Sequence, residues 1–299
     1  MDWSGVIPAI TTPFNEDLTI DHAQLAKHTA WLVDNGCTGI MALGSLGEGA
    51  TLSHAEKVDI LKTCVAAVKG KVPVVAGISA LSTAESIVLA KDAEAAGCSG
   101  LMILPAYVYK GDWREIAAHF DAVFQSTSMS CMLYNNPIAY AVDVLPEQLA
   151  ELADRNENLH SVKESSADIR RVTAIKNLLG ERVRIFVGVD DLIVEGIQAG
   201  AVGWIAGLVN AFPKESVDLF NLCTTEKCEE AAELYKWFLP LLKLDVVPKF
   251  VQLIKLTQEI VGMGSERVRP PRLELVGDER ETTIKLVKDS IESLKTLSV

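Results

Sequence analysis

Short apolar runs rich in Val, Ile, Leu and Ala recur along this chain about every 25 to 35 residues, and a loop of Gly, Ser, Asn or Pro follows each. Runs of this length without polar alternation read as strands covered on both faces. Eight are visible, over residues 6–12, 39–43, 72–77, 100–104, 130–134, 159–163, 183–187 and 202–206. Between them, stretches with helical periodicity predict helices over 21–35, 53–68, 82–96, 113–125, 146–154, 169–179, 192–199 and 213–222. Several open on Ser or Asp and close on Gly, as Ser82 and Gly97 do. Alternating strands and helices imply a parallel sheet with crossover connections, and eight units of similar size predict a closed (β/α)8 TIM barrel over residues 1–223. An open nucleotide-binding sheet gains no support, because neither Gly-x-Gly-x-x-Gly nor a Gly-Lys-Ser/Thr loop accompanies the strands. After Cys223 the strand pattern stops. Residues 227–242, 246–263 and 280–297 predict helices, with Pro240, Pro248 and Arg269-Pro270-Pro271-Arg272 as punctuation. Residues 224–299 thus form a C-terminal helical extension, too small and too closely linked for a function of its own.

In such a barrel, chemistry collects where strands end. The sixth run carries Lys163 between Val162 and Glu164, and strand alternation puts Ser161, Lys163 and Ser165 on one side. A lysine confined there loses solvation of its charged form, so the neutral amine becomes available as a carbonyl nucleophile. A lone strand lysine is ordinarily a surface residue with its head in water, so the other strand ends must decide. The second run ends in Gly44-Ser45-Leu46-Gly47-Glu48-Gly49, which is either an ordinary turn or a backbone cradle for a carboxylate. The fifth ends in Tyr134-Asn135-Asn136-Pro137, and the seventh in Gly188-Val189-Asp190-Asp191, whose acids suit a substrate or a helix N-terminus equally well. Lysine, tyrosine and serine at one barrel mouth make a coherent set. Lys163 forms the imine, Tyr134 shuttles protons, and Ser45 bonds the phenol and passes a proton on.

Composition narrows the partners. The chain has 299 residues, 49% hydrophobic and 23% charged, with a net charge of −12, which fits a globular fold and argues against a nucleic-acid surface. A small molecule is the expected partner. The uncharged run 196–213 contains four glycines, Gln198 and Asn210, and reads as a buried strand with turns rather than a membrane span. Six scattered cysteines and five histidines show no metal-ligand spacing, so the expected chemistry needs no metal and no cofactor beyond the imine on Lys163. The first residues, Met1-Asp2-Trp3-Ser4-Gly5, lack a basic leader pattern, and a cytoplasmic location is expected.

Four segments in fixed order carry a resemblance: residues 5–14 (GVIPAITTPF), Gly44-Ser45-Leu46-Gly47-Glu48, Tyr134-Asn135-Asn136-Pro137 and Val162-Lys163-Glu164-Ser165-Ser166. In these the chain resembles the dihydrodipicolinate synthase and N-acetylneuraminate lyase family of class I pyruvate-type aldolases, nearly end to end. The resemblance implies Lys163 as Schiff-base lysine, Tyr134 as relay phenol and Ser45 as the hydroxyl beside it. It also implies substrate-carboxylate contacts at Ser45 and the Leu46 amide, and an eighth-strand backbone contact near Ile205. A neighbouring subunit should offer Tyr107, or Tyr109 in its place, and the assembly should be a homotetramer, a dimer of dimers. Two departures bear on substrate. The lysine-biosynthetic enzymes have two threonines where this chain has Ser45 and Leu46, and an arginine where it has Ala139. Loss of that guanidinium removes a bidentate site for a second carboxylate. The segments at 134–140, 188–191 and 207–213 look most like the Δ1-pyrroline-4-hydroxy-2-carboxylate deaminases. On that likeness the substrate is a cyclic imine carboxylate, with Gly188 at its site and Asn136, Tyr140 and Asp190 as candidates for its 4-hydroxyl. The alternatives are an aldolase of a 4-hydroxy-2-oxo acid or a dihydrodipicolinate synthase-like pyruvate aldolase and, from another class, a catalytically silent 2-oxo-acid-binding barrel.

Overall fold

A computed structural model describes residues 1–106, 108–225 and 227–295. The chain alternates as anticipated. Strands β1 (Gly5–Pro8), β2 (Ile40–Ala42), β3 (Val74–Ile78), β4 (Gly100–Ile103), β5 (Ser130–Asn135), β6 (Leu159–Glu164), β7 (Arg184–Val187) and β8 (Gly203–Ala206) are separated by helices. The first four helices are α1 (His22–Asp34), α2 (His54–Val68), α3 (Thr83–Ala95) and α4 (Trp113–Phe124). Then come α5 (Pro137–Tyr140), α6 (Pro146–Arg155), α7 (Arg170–Leu179), α8 (Ile193–Gln198) and α9 (Pro213–Thr224). Helices α10 (Cys228–Leu242), α11 (Phe250–Ile260) and α12 (Gly277–Leu294) follow the barrel.

Local chemistry fixes where these helices begin. Ser53 and Glu56 form a reciprocal capping box on α2, as Asp112 and Glu115 do on α4, while proline opens α6 and α9. Pro240 lies inside α10, which ends at Leu242 as the pattern predicted.

All eight strands are parallel, in the order β1-β8-β7-β6-β5-β4-β3-β2. The ring is completed between β1 and β2 by one bridge, Ala9 to Met41, with the Ile10 N–H donating to the Met41 carbonyl at 2.8 Å. The barrel predicted from the repeat is present. Strand β3 is buried at every position, and Trp204 and Phe186 are fully buried. Burying about 200 Å² of an indole contributes roughly 5 kcal/mol at about 25 cal/mol per Å². Trp204 can be dry because its Nε1 donates to Asp190 at 3.0 Å. Among the described residues no helix is long and apolar enough to cross a membrane.

The C-terminal helices also reach across the mouth. From α11, Lys255 runs inward, 2% exposed, and donates to Glu48 at 2.8 Å and to the Thr12 carbonyl at 2.9 Å, above the Phe14 ring. Glu48 adopts a left-handed φ of 56° at the end of the glycine loop and also accepts from the Arg269 N–H at 3.0 Å.

Candidate active site

Strands β5 and β6 pair Tyr134 with Lys163, so register alone sets phenol and amine side by side. The Lys163 ammonium lies 4.4 Å from the centre of the Tyr134 ring. Behind them, on the outer face of β6, Glu164 accepts from Asn135 Nδ2 at 3.1 Å and the Ser166 N–H at 2.7 Å. Asn135 also accepts from the Val144 N–H at 2.9 Å, and Arg171 grips Asp143 at 2.5 Å. This network holds β5 and β6 in one arrangement.

The mouth opens into a cavity of about 490 Å³, roomy for a three-carbon acid and large enough to hold a second reactant. Lys163, Ser165, Tyr134, Asn136, Ser45 and Leu46 line it. Burial drives Lys163 down to about 8, against the opposing pull of the Asp245 and Asp190 carboxylates. Burial pushes Tyr134 up to about 12, partly offset by hydrogen bonding with Asn136. The first makes a usable amine near neutrality; the second keeps the phenol protonated, as a proton carrier must start. Among the described residues no acceptor takes the Ser45 or Leu46 N–H, so both amides are available to an anion. That favours the cradle over the ordinary turn.

Two glycines let side chains into this space. A Cβ on Gly188 would lie 2.6 Å from Lys163 Cε, and one on Gly207 would lie 1.9 Å from Asp245 Oδ1. Both are close-approach positions.

Several anticipated contacts differ. Ser45 hydrogen-bonds Tyr140 rather than Tyr134, while the Tyr134 hydroxyl accepts from Asn136 Nδ2 at 2.9 Å. The rings of Tyr134 and Tyr140 meet edge to face, centroids 5.8 Å apart. Tyr140 reaches there because Asn136 caps the four-residue α5 by accepting from the Ala139 N–H at 3.0 Å, a turn too short to leave a periodic signal. Asp190 does not reach the cavity. It accepts from Trp204, from the Leu208 N–H at 2.8 Å and from the Gly207 N–H at 3.1 Å, tying the ends of β7 and β8 together. Ile205 is buried in β8, and Gly207 is the eighth-strand backbone that meets the cavity. Gly188 lines the cavity as anticipated. Tyr109 is 61% exposed and donates to Glu115, outside the cavity lining. Tyr107 lies outside the described residues.

The largest omission concerns the C-terminal extension, which supplies part of the cavity wall. Asp245, in a 3-10 turn (Lys243–Asp245) between α10 and α11, lines the cavity, as do Phe250 and Arg272. Arg272 also sits 3.8 Å from Glu48. A guanidinium therefore borders the site despite Ala139. The sequence signal was slight: one acid within Leu244-Asp245-Val246-Val247-Pro248, an apolar break between helices.

Comparison with known proteins agrees with this geometry. The model of the Dihydrodipicolinate synthetase family matches residues 2–290. A 4-hydroxy-tetrahydrodipicolinate synthase of Desulforamulus reducens is 31% identical over 297 residues, covering 99% of each chain. The solved 4-hydroxy-tetrahydrodipicolinate synthase of Methylacidiphilum fumariolicum superposes with a TM-score of 0.93 at 27% identity, covering 99% of both chains. A prophage protein of the dihydrodipicolinic acid synthase family from E. coli, solved in complex with pyruvate, gives a TM-score of 0.91 at 25% identity, over 97% of this chain and 99% of that one. From the barrel, the paired lysine and tyrosine and these matches, the chain belongs to the dihydrodipicolinate synthetase family.

Proposed function

We propose that this protein is a lyase that binds a small 2-oxo acid as an imine on Lys163 and makes or breaks a bond at the carbons beyond it. Members of the family hold substrate as a covalent lysine Schiff base and use no external cofactor. The observation that carries the reading here is Lys163 itself: buried, lowered to about 8, and set against the Tyr134 ring at one cavity wall. Its amine adds to C2 of the oxo acid, and the resulting carbinolamine loses water. Tyr134 carries protons in that step, and the hydrogen-bonded Ser45 and Tyr140 hydroxyls stand beside it. The free amides of Ser45 and Leu46 hold the substrate carboxylate. Loss of a C3 proton gives an enamine, which adds to an aldehyde; the reverse sequence cleaves a 4-hydroxy-2-oxo acid. The names of the relatives support this aldolase form, and Arg272 on the wall suits a second charged group.

Ala139 on the cavity wall favours a second reading, deamination of Δ1-pyrroline-4-hydroxy-2-carboxylate, which carries one carboxylate. Lys163 adds to C2, the C2–N bond breaks, and the C3 hydrogen and C4 hydroxyl leave as water. Tautomerisation places an imine at C5, whose hydrolysis releases ammonia, and hydrolysis of the Lys163 imine at C2 then frees 2,5-dioxopentanoate and restores the amine.

Intact mass after borohydride reduction, with pyruvate and separately with the pyrroline, on wild type and Lys163→Ala, decides among these. A pyruvate adduct lost in the variant, with no ammonia from the pyrroline, supports the aldolase form. An adduct from the pyrroline with ammonia release supports the deaminase. Absence of any adduct overturns the imine-forming lyase and leaves a binding barrel. A homotetramer is the proposed working form, checked by light scattering.

A further inference from the structure

Asp245 is half-buried as a residue, yet its Oδ1 is closed off from solvent and has no hydrogen-bond partner. An orphaned carboxyl oxygen costs stability, so its persistence at a cavity wall points to a partner that arrives with substrate. The group is reached from outside the barrel, in a turn braced by α10, whose Tyr235 donates to the Asp191 carbonyl at 2.5 Å. It packs over Gly207 at the end of β8, where no side chain could stand, and it is the larger of the two carboxylate influences on Lys163.

These positions orient a bound substrate. With C2 on Lys163 and the carboxylate turned to the Ser45 and Leu46 amides of the β2 loop, the remaining carbons extend from β6 along the wall made by Gly188, Gly207 and Asp245. We infer that Asp245 is a catalytic acid and base that handles the proton on the C4 oxygen of an imine-bound, C4-hydroxylated substrate.

In cleavage, the Asp245 carboxylate takes the hydroxyl proton as the C3–C4 bond breaks; the electron pair enters the Lys163 enamine and C4 departs as an aldehyde. In elimination, the protonated Asp245 gives its proton to the C4 hydroxyl as the C4–O bond breaks, the C3 proton having been removed first, and water leaves. No further reactant is needed. Burial and the neighbouring Asp190 raise Asp245 well above the ordinary carboxyl range, Lys163 opposes this, and Asp191 adds a smaller push upward. A carboxyl raised in this way holds its proton more readily than an exposed one.

The assignment rests on the imine-forming reading above, and one set of variants separates them. Asp245→Asn keeps the shape and removes the transferable proton together with the carboxylate charge that faces Lys163. Three measurements are made on wild type and variant: borohydride trapping of pyruvate, exchange of pyruvate C3 hydrogens with solvent, and turnover of a 4-hydroxy-2-oxo acid and of Δ1-pyrroline-4-hydroxy-2-carboxylate. The expected result is a kcat at least about 100-fold lower on the hydroxylated substrate that wild type uses, with trapping and exchange within about threefold. Turnover that stays unchanged overturns this assignment and leaves the imine reading standing. Parallel loss of trapping also overturns it, because Asp245 would then act through Lys163. A wild type that traps nothing overturns both. Asp245→Glu, which restores a proton at altered reach, should recover part of kcat in a correctly folded protein, whereas Asp245→Ala should not.

Discussion

Replacing Glu48 by glutamine isolates the electrostatic link between the glycine loop and α11. Glu48 has no solvent exposure, and its two oxygens serve Lys255 at 2.8 Å and the Arg269 N–H at 3.0 Å, with Arg272 farther off at 3.8 Å. Glutamine keeps the volume but turns an NH2 toward one of these donors. The Lys255 ammonium then stays buried with only the Thr12 carbonyl and the Phe14 face as support. Breaking a buried pair by removing one partner costs about 3 to 5 kcal/mol. A ceiling follows from the lysine's own escape, which is to shed its proton. From an ordinary lysine near 10.4, doing so at pH 7 costs about 4.6 kcal/mol, at 1.36 kcal/mol per unit. The expected loss is therefore about 3 to 4.6 kcal/mol. Burial already lowers Lys255 in the native protein while Glu48 pulls it back up, so removing Glu48 lowers it further. A lysine lowered in the folded state binds its proton only on unfolding, and the variant should regain up to about 1.4 kcal/mol per unit as pH rises from 7 to 9. Urea unfolding followed by tryptophan fluorescence at pH 7, 8 and 9, at fixed protein concentration, measures both quantities. A loss below about 1 kcal/mol, or a gap that does not narrow toward pH 9, refutes the reasoning. Adding Lys255→Met should restore at least half of the loss, since no unpaired charge then remains.

Two further outcomes concern the chemistry. Imine formation, read as the initial rate of borohydride trapping with pyruvate, should climb about tenfold per pH unit below about 8 and level off above it, because the neutral form of Lys163 is the nucleophile; a rate flat from pH 6 to 9 contradicts the assigned amine. Tyr140→Phe deletes the hydroxyl that bonds Ser45 but leaves the edge contact with Tyr134, so steady-state kinetics should show kcat reduced about 10- to 100-fold at little-changed KM; an unaltered kcat removes Tyr140 from the relay.

Individual residues explain what could be read before the structure was known. Strand β3 was legible because both its faces are buried, which leaves an uninterrupted apolar run between Pro73 and Ser79. The first strand was read through Thr12 but ends at Pro8, since Ala9 to Thr12 stay apolar or buried while turning to cover the mouth; composition reports burial there, not pairing. Lys163 and Tyr134 were found because strand ends in a barrel select them. Asp190 misled for a related reason. Its strand end is correct, but only the fold shows two amides and an indole already occupying its carboxylate. Asp245 was invisible because its position depends on contacts with β6 and β8, far away in sequence, and no periodic pattern encodes such a meeting.

Among the described residues a single β-bridge joins β1 to β2, beside the Thr38 N–H bond to the Val6 carbonyl, so the cylinder is fastened there from outside. At that seam Lys255 spans from Thr12, just beyond β1, to Glu48, just beyond β2, like a clasp across an open collar. As the ribosome delivers the chain, all eight strands are made before the clasp emerges. Until then the collar is held at its weakest point by few backbone bonds, and Glu48 lacks its counter-charge. The last fifth of the polypeptide is thus the part that commits the first two strands to each other, and the same segment brings Asp245 to the mouth. Closure and chemical competence arrive together.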